Sequence, residues 1–129
     1  MKKFKANDNK SEEHEINYRQ FNKLELLNQI LSLISDINQA SDEKEVKDCI
    51  PALLQYTGEY TDADRVYIFE LMSEKQDYYS NTFEWCREGI VPQIDNLIHI
   101  SADSMPVWHE KFLRGETIII HDLEKICET

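Results

Sequence analysis

The side chains with the widest chemical repertoire here are four histidines and three cysteines, and their spacing limits what they can do. His14, His99, His109 and His121 form no known metal box. His109 precedes Glu110, but the second histidine that a zincin helix carries four residues on is missing. Cys49, Cys86 and Cys127 are odd in number and far apart, without the paired spacing of a zinc or redox site, so they read as reduced thiols, two of them in the core. A Cys/His nucleophile would have to join Cys86 to His99 or His121. Nothing marks that cysteine as acidic, and beside Trp85 in a strand it reads as core or pocket wall. Asp62 and Asp64 could gather a cation, but a turn whose carboxylates satisfy local backbone explains them more simply. Arg65 could then pair with one of these aspartates or face an anionic ligand. No catalytic residue and no metal site are expected. The binding candidates are aromatic: Phe83, Trp85 and Trp108, with Asn81 and His99 as polar points able to orient a ligand. Pockets are mostly apolar with a few convergent polar groups, although an ordinary core has the same mixture.

Composition narrows the partners. A chain of 129 residues has room for one core. Its net charge of −11, with no Lys/Arg cluster after the first few residues, argues against nucleic acid, whose binding exchanges cations for counterions. The basic start lacks the apolar run of a secretory signal, and no segment is long and apolar enough for a bilayer. A cytoplasmic protein with no membrane partner is expected.

The elements that must position these residues centre on residues 65–89, which read as two antiparallel strands joined by the polar turn MSEKQD. In the first, Val66, Ile68 and Glu70 alternate with Tyr67, Phe69 and Leu71, so both faces are apolar and the strand is expected in the middle of a sheet. In the second, Tyr79, Asn81, Phe83 and Trp85 are expected on one face, with Ser80, Thr82 and Glu84 on a solvated one. Ser73 and Asp77 are placed to satisfy the turn.

Residues 1–17 are too polar to fold by burial and read as a tail or a frayed helix start. A helix is predicted over 18–38, with one seam of Leu24, Leu27, Leu31 and Ile34 and a second of Leu26, Ile30, Leu33 and Ile37. So wide an arc fits either deep burial, or one seam on the sheet and the other, Leu24 to Ile34, on a second chain. Asp42 and Glu45 resemble a capping box opening a second helix, which Pro51 is expected to kink or divide. Ser104 reads as the N-cap of a short helix that carries Trp108 and Phe112 on one face and ends at Gly115. A third strand is predicted over 116–122 from its β-branched run.

Taken together, ADRVYIFE, then YYSNTFEWCREGIVPQIDNL, then MPVWHEKFLRGETIIIHDLEKI resemble the first half of a bacterial GAF domain. They are most similar to those found ahead of diguanylate cyclase (GGDEF) and phosphodiesterase (EAL or HD-type) output domains. The most specific points are Glu84, Trp85 and Cys86, then Glu88 and Gly89, the PQIDNL run, and Trp108 with Arg114, Gly115 and Glu116. The resemblance covers residues 18–129. It implies an α+β domain: an antiparallel sheet with helices packed on its faces, a small-molecule pocket, and a homodimer through terminal helices. The ligand or cofactor stays unnamed, because neither a bilin-attachment motif nor a cyclic-nucleotide signature is found.

A GAF domain continues with further strands and a last helix, so the resemblance implies a C-terminally truncated module whose first strand has an open edge, met by another copy, by an altered strand order or by nothing. The expected function is non-enzymatic sensing or regulation in bacterial signal transduction, within cyclic-di-GMP signalling. The alternatives are a ligand-free dimerisation or interaction module, a non-functional fragment, or a cysteine enzyme such as the methionine sulfoxide reductases of this fold.

Overall fold

In a computed structural model, which describes residues 2–125, the chain is an α+β domain whose first half is helical. Helix α1 (Lys2–Gln39) opens through the polar first turns and runs unbroken to Gln39. Helix α2 (Glu43–Thr61) begins where the sequence said it would. The Asp42 carboxylate accepts from the Glu45 N–H at 2.9 Å, and Glu45 reaches back to accept from the Ser41 N–H at 2.8 Å. Pro51 does not divide α2. It lies on the exposed side, as does Lys47, whose carbonyl loses the Pro51 partner.

α1 packs along α2 rather than on the sheet. Leu26, Ile30, Leu33 and Ile37 are the half-buried seam, and Leu27 is half-buried beside them. This corrects the expectation that one seam of α1 meets the sheet, because α2 occupies that place. Ile50, Leu54 and Gly58, four residues apart, form the buried stripe of α2, which packs on the first two strands.

The sheet is antiparallel, in the order β1 (Arg65–Leu71), β2 (Tyr78–Cys86), β3 (Ile100–Ser101). The expectation of a central β1 and a peripheral β2 is therefore reversed. Among the described residues, β2 is flanked on both sides and β1 lies at the edge with no strand beyond it. Apolar residues on both faces of β1 report cover above and below the sheet, and say nothing of neighbours within its plane. In the turn, the Ser73 hydroxyl donates to Asp77 Oδ1 at 2.5 Å, and Gln76 takes a left-handed φ of 54°.

Helix α3 (Pro106–Leu113) starts with Pro106 in its first turn, where a missing N–H costs nothing. Ser104 does not cap it. The Ser104 hydroxyl donates to the Ser101 carbonyl at 2.6 Å, closing the short 3-10 turn Ala102–Ser104 instead. At the other end Gly115 (φ 73°) donates to Phe112 O and Glu116 to Lys111 O, a Schellman arrangement. Residues 116–120 join no ladder, so the third strand predicted there is not formed. A β-branched run favours a strand only when an edge lies within reach, and the third strand is the two-residue β3.

Candidate functional site: an apolar cavity on one face of the sheet

A single extra residue decides which side chains share a face. Ile68 pairs with Phe83, and the next residue, Phe69, pairs with Asn81, leaving Thr82 as a bulge in β2. The bulge reverses the alternation. Phe83 and Trp85 join Val66 and Ile68 on the α2 side, where the Trp85 ring lies on Gly58. Asn81 and Tyr79 join Phe69 and Leu71 on the other side. The four residues expected on one face of β2 are thus divided two and two.

On the side away from α2 lies a cavity of about 400 Å³. Phe69, Leu71 and Tyr79 of the sheet and Ile100 of β3 face Trp108, Phe112 and Leu113 of α3, with Met105 at the turn. No charged side chain is among these residues. The Tyr79 hydroxyl lies 2.7 Å from His109 Nδ1, fastening α3 to the sheet. Edge-on ring contacts run from Tyr79 to Phe112 at 6.2 Å and from Phe112 to Trp108 at 6.4 Å. Burial raises the Tyr79 phenol above its ordinary pKa. Trp108, in the wall, is 38% exposed.

Of the five residues singled out as ligand-binding, the structure places one in the cavity wall, Trp108; Asn81 is on the same face of the sheet but does not line the cavity. Phe83 and Trp85 are on the opposite face, and His99 is elsewhere. Its ring stacks on Tyr78 at 4.0 Å, and its N–H donates to the Ser80 hydroxyl at 3.1 Å. The sequence signal for Phe69, Leu71 and Tyr79 was present as alternating apolar residues, but only the bulge tells which face they take.

The charged candidates serve structure. Asp62 and Asp64 both pair with Arg87, at 2.6 and 3.4 Å, and not with Arg65. Arg65 lies 3.2 Å from Glu84 and donates to the Val91 carbonyl at 2.6 Å. Glu84, expected on a solvated face, has a side chain only 2% exposed and accepts from the N–H groups of Gln93 and Ile94. This pair ties the loop after β2 to the sheet. Cys49 and Cys86 are half-buried free thiols, and Cys127 lies outside the described residues. Among the described residues no group of three or more His, Cys, Asp or Glu is placed to hold a metal, and no helix is long and apolar enough to cross a membrane.

No family model, no curated protein and no solved structure matches this chain.

Proposed function

We propose that this chain is a non-enzymatic sensory or regulatory module of a bacterial signalling protein, cytoplasmic and of GAF type, that holds a small apolar ligand between α3 and the sheet. The observation that carries the reading is the apolar cavity of about 400 Å³ on the face not used by α2, within the size range of small-molecule sites. Its resemblance to the GAF pattern in 18–129 supports the same reading. Ligand binding would tighten α3 on the sheet and pass through β1 and β2 to α2 and α1, whose exposed seam would join a second copy.

α-Methylstyrene, a small aromatic hydrocarbon, tests the cavity directly. In a titration followed by methyl NMR it is expected to shift the resonances of Leu71, Ile100 and Leu113 saturably, to leave Leu54 on the α2 side unmoved, and to raise the thermal midpoint. Shifts confined to the α2 side, or none that saturate, would overturn the reading.

The second reading, a ligand-free dimerisation module, is favoured by one observation: Leu24, Leu31 and Ile34 of the outer seam are exposed. Under it the probe binds nowhere while the chain still self-associates.

A further inference from the structure

The outer edge of β1 carries backbone groups that the sheet does not use. Met72 donates its N–H to the Tyr78 carbonyl, and the Asp64 carbonyl accepts from the Arg87 N–H, so at both ends of β1 the even-numbered residues turn toward β2. Alternation along the strand then sends the N–H and C=O groups of Arg65, Tyr67, Phe69 and Leu71 the other way. Among the described residues no strand lies beyond β1 to meet them.

Edges that stay free are protected by Lys or Pro, by a bulge in the edge strand or by shortness. β1 has seven residues, none of them Lys or Pro, and its irregularity is the extra residue in β2. Val66, Tyr67, Ile68 and Phe69 follow one another in its middle without a charge. Tyr67 is 48% exposed, and its ring stands edge-on to Phe69 with centroids 5.1 Å apart. The charges at the two ends decide what fits. Arg65 opens the strand and Glu70 stands one residue from its end. A parallel copy in register would set Arg65 on Arg65 and Glu70 on Glu70, whereas an antiparallel copy brings the positive end of each strand to the negative end of the other.

We propose that β1 pairs antiparallel with β1 of a second copy of this chain, across a two-fold axis at Ile68, continuing the sheet from one copy into the next. In that register Arg65 lies opposite the partner's Leu71 and Tyr67 opposite the partner's Phe69, and the reverse. These are the residues whose backbone groups face outward, so each pair exchanges two hydrogen bonds. Each Tyr67 ring also gains the partner's Phe69 beside it. One strand from each copy is a small interface, which makes the association transient and favours it in concentrated rather than dilute solution. The contact is separate from the α1 seam and needs nothing in the cavity.

Amide hydrogen exchange followed by NMR reads this edge residue by residue. In the dilute full chain the N–H groups of Val66 and Glu70 are held in the ladder with β2, while those of Tyr67 and Phe69 exchange freely. In concentrated solution exchange at Tyr67 and Phe69 is expected to slow by about tenfold, and to do so equally in a chain carrying Leu24→Glu and Leu31→Glu. Tyr67→Pro is expected to abolish the slowing at Phe69, because proline is tolerated where the N–H faces away from the ladder and there removes only the edge donor and the ring. Should that variant not fold, Tyr67→Glu does the same by setting two carboxylates diagonally across the axis. Free exchange at Tyr67 and Phe69 at every concentration, or slowing that is independent of concentration, would overturn the pairing. So would slowing that survives both Tyr67 substitutions or vanishes with the α1 leucines. Slowing shared by the amides of Ile118, Ile119 and Ile120 would also overturn it, by making that unpaired run of the second copy the strand that docks.

Discussion

Gly58 meets the Trp85 ring so closely that a methyl group would not fit between them. A Cβ built there would lie 2.0 Å from Trp85 Cζ3 and 2.4 Å from Cε3, both in a rigid ring carried by β2. Two effects of opposite sign compete in Gly58→Ala. Helix propensity gains about 1 kcal/mol in an interior position, whereas overpacking a closed contact costs typically about 1–3 kcal/mol, occasionally more. At 2.0 Å the overlap is severe, so the clash is expected to win. Gly58→Ala should lower the urea midpoint by a net loss on the order of 1–2 kcal/mol and disturb the near-UV signal of Trp85. A rise in stability would mean that Trp85 does not rest on α2. The same contact makes Trp85 a packing residue in this fold, so it leaves the list of ring walls available to a ligand.

At the scale of elements, the hairpin shows a local device that can be titrated. The Ser73 hydroxyl holds the Asp77 carboxyl below its ordinary pKa. A carboxyl depressed in the folded chain supports the fold above its unfolded value, near about pH 4, and the support disappears as pH falls through the lower folded value. In an NMR pH titration Ser73→Ala should move the Asp77 midpoint up toward the ordinary range. An unchanged midpoint would mean that the hydroxyl does not hold the turn.

Signals of this local kind were legible in the sequence: the Asp42 and Glu45 cap, the Ser73 and Asp77 turn, and Gly115 closing α3 each involve residues no more than five apart. What was not legible depends on partners. The Thr82 bulge reverses a face by one residue, and alternation within a single strand carries no record of it. The run at 116–120 has strand-like composition and still joins no ladder, because pairing needs an edge that composition does not supply. Trp108 could be picked out by residue type. Phe69, Leu71 and Tyr79 could not be assigned to the cavity until the bulge fixed their side.

For the whole molecule the open question is what meets the outer face of α1. Leu24 and Leu31 are 58% and 55% exposed, and with Ile34 and the half-buried Leu27 they follow a spacing of three and four that suits a second helix. Ile16 lies on the same line further toward the N-terminus, and it too is exposed. If this stripe joins two copies, replacing Leu24 and Leu31 together by Glu should convert dimer to monomer in sedimentation while the far-UV spectrum stays unchanged. Both side chains already face water in the single chain, so their loss costs the monomer about 0.5 kcal/mol or less each. Salt supplies an independent sign. Two chains of net charge −11 repel one another, and a seam held by apolar contact gains as that repulsion is screened. The dimer fraction should therefore rise with added salt, whereas an interface built on ion pairs would weaken. A wild-type chain that sediments as a monomer at every ionic strength would remove the helix seam from the mechanism and leave the cavity without its proposed route to a partner.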